Sequence, residues 1–201
     1  MDPAELNRRA DALRELQRRC QLCPRRCGAR RQPDQPGFCR QPAALHVARV
    51  CAHGGEEPAL SGSAGAGTVF VAGCTMRCGF CQNHQISHAR PRPSWRVEVD
   101  ELARALLELQ ARGAHNVEWI SPTQHLPGLV RALAAARARG LRLPVVYNSS
   151  GYERVAVLRL LEGVVHVYLP DAKYADPALA RRYSTTMDYV EVNRRAIAEM
   201  A

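Results

Sequence analysis

Lysine is nearly missing from this 201-residue sequence: Lys173 is alone among 28 basic side chains, and the rest are arginine. Aromatic residues are scarce too, with three Phe, two Trp and six Tyr. Few rings are therefore available for stacking bases, and the arginines are scattered through Ala- and Leu-rich text. A nucleic-acid partner is not expected despite the net charge of +9. No run approaches the ~18 apolar residues of a membrane span. The opening "MDPAELNRRADALRELQRR" lacks the apolar centre of a secretion signal. The chain is accordingly placed in the cytoplasm with no membrane partner. In such a reducing compartment its eight cysteines are read as metal ligands or catalytic groups rather than disulfides. The run "SGSAGAG" at 61–67 lacks the Gly-Lys-Ser/Thr ending of a phosphate loop, so it reads as a linker or tight turn.

What is present falls into two parts. Pro3, Leu6, Leu13 and Leu16 mark an N-terminal helix. It runs into a proline-dotted, cysteine-rich stretch from Cys20 to Cys51 with little periodicity. Residues 1–60 are therefore expected to form a helix and a metal-binding segment, and 61–201 the core. From Thr68 the text alternates. Strand-like runs "TVFVAG", "NVEWI", "LPVVY" and "VVHVYL" are separated by helical patterns. The first helical pattern has Asp100 as its expected N-cap and Gly113 as its stop; the others cover 127–140 and 153–163. This alternation predicts an α/β fold with right-handed βαβ units and a parallel sheet, about four units in all. Trp95, Trp119 and the helix leucines are assigned to the core.

Each strand is followed at once by polar or metal-seeking residues. These are Cys74, Cys78 and Cys81, then Ser121, Thr123, Gln124 and His125, then Asn148, Ser149 and Ser150, and last Asp171 and Lys173. In parallel α/β folds the carboxyl ends of the strands carry the chemistry, so the four groups would meet on one rim. The first group, "GCTMRCGFCQN", has the spacing Cys-x3-Cys-x2-Cys and no fourth cysteine nearby downstream. A structural zinc site closes with four ligands. A four-iron cube held by three thiolates instead keeps one iron open for an outside ligand. Gly73 and Gly79 would let the backbone bend around such a bulky group.

These residues, with an aromatic before the last cysteine, resemble the radical S-adenosylmethionine (SAM) enzymes. "GAGTVFVAGCTMRCGFCQNHQIS", "PVVYNSSGY", "VYLPDAKYADPALARRYS" and the leading "CQLCPRRC" are similar to the branch typified by the pyruvate formate-lyase activating enzyme, over Cys20 to Met200. The resemblance implies a partial (β/α) barrel and an oxidoreductase. Cys74, Cys78 and Cys81 would hold a [4Fe-4S] cluster whose open iron is chelated by SAM. An electron from a donor such as flavodoxin or ferredoxin would cleave SAM to methionine and a 5′-deoxyadenosyl radical for hydrogen abstraction. Phe80 would contact the adenine, Asn83 would support the cluster loop, and Lys173 beside Asp171 would neutralise the SAM carboxylate. Asn148 and Ser149 align with residues lining the SAM pocket. The namesake substrate is a glycine of a glycyl-radical enzyme, though a small molecule fits equally; no residue is assigned to proton transfer.

The sequence departs from that pattern in three ways. "SPTQH" replaces a Gly-Gly-Glu-type turn, which shifts the contact to the SAM amino group onto Thr123, Gln124 or another group. Asn148 stands where the activating enzymes have an acid. Six βα units are expected and four are found, so the core reads as C-terminally truncated. Separately, Cys20, Cys23, Cys27 and Cys39 form a possible second metal site, for zinc or an auxiliary cluster. Cys51 either serves one of these sites or is a buried free thiol. His53, His84, His88 and His125 receive no role. The rival reading is a non-catalytic zinc protein docking on nucleic acid or an acidic protein partner.

Overall fold

The computed structural model describes residues 1–32, 35–88 and 94–201. Helix α1 (Pro3–Arg18) starts where Asp2 accepts hydrogen bonds from the amides of Ala4 and Glu5, both at 2.9 Å, with proline in the first turn. Leu6, Ala10, Leu13 and Gln17 recur at helical spacing on its buried face. Strand β1 (His46–His53) and the one-turn helix α2 (Pro58–Ser61) precede β2 (Ala66–Val71). After the cysteine loop come α3 (His84–Ser87), β3 (Trp95–Arg96), α4 (Val99–Ala111) and β4 (Val117–Ile120). A short 3-10 turn, Thr123–His125, leads into α5 (Leu126–Ala138). β5 (Val145–Ser149), α6 (Val155–Arg159), β6 (Val167–Pro170), α7 (Pro177–Ser184) and α8 (Tyr189–Met200) complete the order.

The strands form one sheet in the order β3-β1-β2-β4-β5-β6. β2, β4, β5 and β6 run parallel, as the alternating pattern predicts. β1 pairs antiparallel with β2, and β3 antiparallel with β1. Among the described residues the sheet therefore holds two strands beyond the four expected. β1 lies inside the cysteine-rich stretch, where its mixed side chains hide the period. Its pairing with β2, and the packing of α1 on α5, join residues 1–60 to the rest through one shared apolar cluster. That cluster contains Leu6, Leu13, Val69, Leu106, Trp119, Leu133 and Tyr147.

Three local expectations change and a fourth is narrowed. Trp95, assigned to the core, sits on the edge strand β3 and is exposed. Glu98, not Asp100, is the N-cap of α4; Asp100 lies in the first turn, where a carboxylate favours the helix dipole, and pairs with Arg139. Of the two readings of 61–67 the tight turn holds and the linker does not: Ser61 ends α2, residues 62–64 turn, and Ala66 and Gly67 begin β2. Gly67 is required because a Cβ there would lie 2.5 Å from the Asn116 carbonyl oxygen. The helix expected over 153–163 is reduced to α6, because the chain must turn at Gly163 (φ 71°) to feed β6.

An arginine with no carboxylate partner among the described residues is buried where the cysteine-rich stretch meets the core. Arg31 is 1% exposed, and its guanidinium donates to the carbonyls of Gln41 (3.1 Å), Pro42 (2.8 Å) and Gln124. Those three carbonyls would otherwise lack donors in a dry environment. Arg31→Met should therefore lower unfolding stability by about 3 kcal/mol or more, read as a shift of the urea midpoint. A change under about 0.5 kcal/mol would mean that water already satisfies these groups.

Candidate functional site

The cysteine loop leaves β2 through Gly73, which has φ 74° and no room for a side chain. A Cβ there would lie 2.4 Å from Gln41 Cγ and 2.6 Å from the Cys39 carbonyl oxygen. Only glycine lets the loop pass this close to residues 39–41. From below, the Gln124 carboxamide donates to the carbonyls of Ala72 (3.0 Å) and Gly73 (2.9 Å). From the side, Arg25 Nε donates to the Thr75 carbonyl at 2.6 Å. The Gly73 amide reaches Ile86 and the Gly79 amide reaches Tyr183, at 2.9 and 2.8 Å. Cys74, Cys78 and Cys81 are free thiols brought to one side of this fixed loop. Two sulfurs already have donors. The Met76 amide lies 3.3 Å from Cys74 Sγ, and Ser87 Oγ lies 3.3 Å from Cys81 Sγ.

The thiols open onto a cavity of about 650 Å³, within the range of a cofactor site. The ends of β2, β5 and β6 meet there because parallel register aligns Phe70, Ile120, Asn148 and Leu169 across the sheet. Asn148 lines the cavity, and its Nδ2 donates to Glu118 Oε1 at 3.0 Å. Glu118 is buried mid-strand in β4, where desolvation raises its carboxyl above 4.5 against the hydrogen bond from Asn148. Asp171 and Lys173 also line the cavity and pair at 2.6 Å. Burial works to lower the Lys173 ammonium pKa, but the Asp171 carboxylate outweighs it, so the net shift is upward. α8 holds this turn: Tyr189 Oη donates to the Ser150 carbonyl (2.7 Å) and accepts from the Lys173 amide (3.0 Å). Asn193 Nδ2 donates to the Asp171 carbonyl at 2.8 Å.

Of the other residues singled out, Phe80, Asn83 and Ser149 line the same cavity. Phe80 is largely exposed and makes edge contacts to Tyr174 and Tyr183. Ser149 Oγ is committed to the Gly151 amide at 3.1 Å. Thr123 does not line the cavity. It is 2% exposed, and its hydroxyl donates to Glu153 Oε1 at 2.7 Å. Gln124 is turned under the cysteine loop instead. His53 reaches the cavity wall, and His84 and His88 do not. His125 is buried against His46, and desolvation holds its ring well below the usual range, as a neutral imidazole.

Sequence reasoning gave no role to Glu118, Arg25, Tyr189 or Asn193. A carboxylate inside the apolar run "NVEWI" was a visible signal for the first; the other three act through tertiary contacts alone. Ser121 was visible only as a polar residue. It stands at the end of β4 with φ 49°, a backbone conformation that glycine adopts freely, so the turn persists where the glycines are missing. A second cavity, about 700 Å³, lies between α6 and α8 and contains none of the clustered thiols.

The profile of the radical SAM superfamily matches residues 68–200. The chain belongs to this superfamily. It is also 30% identical over 200 residues to the uncharacterized protein MJ0674 of Methanocaldococcus jannaschii. That alignment covers 96% of this chain and 56% of the relative, so the chain spans little more than half of the longer protein. No solved structure matches it. Among the described residues no helix is long and apolar enough to cross a membrane.

Membership of the superfamily implies a [4Fe-4S] cluster and SAM. The donor set fits them: three thiols free of disulfides on a braced loop, beside a cavity carrying an ammonium, a carboxylate and a carboxamide. Burial pushes the Cys74 thiol up to about 11, so iron binding must displace a proton there. Among the described residues no three His, Cys, Asp or Glu side chains are arranged to hold a single metal ion.

The pair Thr123–Glu153 below the cavity supplies a pH test. Desolvation raises the Glu153 carboxyl from 4.5 to about 7. The folded state therefore binds a proton more tightly than the unfolded state. Stability contributed by that proton is complete below pH 4.5 and is lost as pH rises through 7. Glu153→Gln should be more stable than the parent at pH 8, by on the order of 3 kcal/mol, and nearly equal to it at pH 4.5. Urea midpoints at the two pH values read this. An unchanged gap between them would contradict it.

Proposed function

We propose that the chain is a radical SAM enzyme core that binds a [4Fe-4S] cluster at Cys74, Cys78 and Cys81 and SAM in the adjoining cavity. The observation that carries this reading is the convergence of three free thiols with Asn148, Asp171 and Lys173 on one cavity. Each thiolate would hold one iron and leave the fourth for an outside ligand. When bound, the cluster and SAM supply a reductive cleavage that yields methionine and a 5′-deoxyadenosyl radical able to take a hydrogen atom from a substrate.

The chain's own contribution is positioning. Lys173, held by Asp171 and by the Tyr189 hydroxyl at its backbone, offers a localised positive charge to the SAM carboxylate. Asn148, oriented by Glu118, keeps its side-chain oxygen free to accept from the SAM amino or ribose groups. The exposed ring of Phe80 offers a face to the adenine. Asn83, whose carbonyl accepts from the amides of Ile86 and Ser87, supports the end of the loop. Thr123 is no part of this set, since its hydroxyl serves Glu153.

The sequence resemblance to the pyruvate formate-lyase activating enzyme branch supports a finer reading: an oxidoreductase that takes its electron from flavodoxin or ferredoxin and abstracts hydrogen from a protein glycine. Anoxic incubation with a candidate glycyl-radical partner and SAM would give the glycyl doublet in electron paramagnetic resonance if that reading holds. Consumption of a small molecule with no such signal would replace it.

The main reading is tested on the chain reconstituted with iron and sulfide. With SAM and dithionite it should release 5′-deoxyadenosine, and Cys78→Ala should abolish the product. A colourless chain carrying zinc at these thiols, unaffected by Cys78→Ala, would overturn the reading. Lys173→Ala should weaken equilibrium SAM binding by about tenfold or more, because it removes a charged partner and leaves Asp171 facing the SAM carboxylate.

A further inference from the structure

Outside the cavity, the four N-terminal cysteines remain unexplained. Two backbone hydrogen bonds, from the Cys20 amide to Ala29 and from the Gly28 amide to Cys20 (3.0 and 3.1 Å), fold residues 20–29 back on themselves. A reverse turn from Cys23 to Arg26 closes the tip at 3.1 Å. This knuckle presents Cys20, Cys23 and Cys27 together. A second turn, closed by the Arg40 amide on the Gly37 carbonyl at 3.1 Å, carries Cys39 to meet them. Gly37 takes φ 72° there, and a Cβ would crowd Ala29 Cβ (3.0 Å) and Cys27 Sγ (3.1 Å). All four cysteines frame one small void of about 10 Å³. Cys20, Cys23 and Cys39 are buried, and all four are free thiols.

Four free thiols around one void, three of them buried, have no reason to meet in an apolar core unless they share an occupant. We propose that Cys20, Cys23, Cys27 and Cys39 bind a single tetrahedral zinc-class ion. The void is the size of one small sphere, which suits a single ion. A Cys-x2-Cys pair with two further thiols is a zinc ligand pattern. Four thiolates around a divalent ion carry net negative charge, and cations stand ready to offset it. Arg25 lines the void, and Arg25 and Arg77 both stand over the ring of Phe38, which lines it too. The sulfurs are not yet gathered as a bound ion would gather them. Loading draws them in to about 2.3 Å from the metal.

The site braces the cysteine loop of the cavity. Arg25, inside the knuckle, holds the Thr75 and Ser184 carbonyls, and Gln124, which also lines the void, holds Ala72 and Gly73. An ion that locks the knuckle therefore locks the loop carrying Cys74.

Zinc and iron are counted by plasma mass spectrometry on the full chain purified without oxygen. The comparison includes the triple variant Cys74→Ala/Cys78→Ala/Cys81→Ala and the double variant Cys23→Ser/Cys39→Ser. The triple variant should keep about one zinc per chain, and the double variant should lose it at least tenfold. A metal-free triple variant would overturn the proposal, as would one holding iron and sulfide in place of zinc. Because the double variant could fail by unfolding, zinc-edge X-ray absorption on the triple variant gives a second reading. Four sulfurs at about 2.3 Å support the site, and a shell with fewer sulfurs overturns it. Stripping the ion from the triple variant should speed amide exchange at residues 73–77 by at least tenfold. Unchanged exchange would overturn the bracing role.

Discussion

The close passage of Gly73 beneath residues 39–41 is the constraint on which the rest of the site depends. Because no Cβ intervenes, the loop after β2 leaves the sheet pressed against the cysteine-rich segment, and Gln124 clamps its first two carbonyls from below. The three thiols thus sit on backbone fixed from two sides. Cluster ligands carried on a mobile loop would pay ordering entropy on assembly, and a loop already hydrogen-bonded at Thr75, Gly79 and Gly73 avoids most of it. The parallel register does the complementary task by delivering Asn148 and Asp171 to the same rim from strands formed far apart in sequence.

The cavity is electrically arranged before any ligand arrives. Lys173 is oriented by Asp171, and Asn148 by Glu118, so the two side chains facing the space have partners behind them. α8 closes the assembly, with Tyr189 and Asn193 tying it to the carbonyls at the ends of β5 and β6. In this arrangement substitutions on α8 act on the cavity without touching it. The only lysine in the chain stands where a compact, localised charge is useful and a planar guanidinium would be bulkier.

Much of this was legible in the sequence. The parallel strands follow from β-branched runs alternating with helical periods, and the residues after each strand could be placed on one rim from topology alone. Cys74, Cys78, Cys81, Asn148, Asp171 and Lys173 do come to one cavity. The failures have physical causes. β1 is a half-exposed strand and β3 an exposed two-residue strand at the side of the sheet, with no clear alternation of apolar residues. Thr123 lies in a 3-10 turn, which rotates its side chain inward to Glu153, and a strand-end count cannot anticipate that rotation. Arg25 and Arg31 are two among many scattered arginines in the sequence, yet both are pinned on backbone carbonyls. Among so many arginines, only tertiary contacts distinguish a structural one.

The central claim is that three protein thiols leave one corner of an iron–sulfur cube to an outside ligand. Mössbauer spectra of the ⁵⁷Fe-reconstituted chain, recorded before and after adding SAM, address it directly. The account predicts four irons, one of which alone changes its isomer shift and quadrupole splitting when SAM is present. Four irons that all ignore SAM, or no iron–sulfur signal after reconstitution, would contradict it.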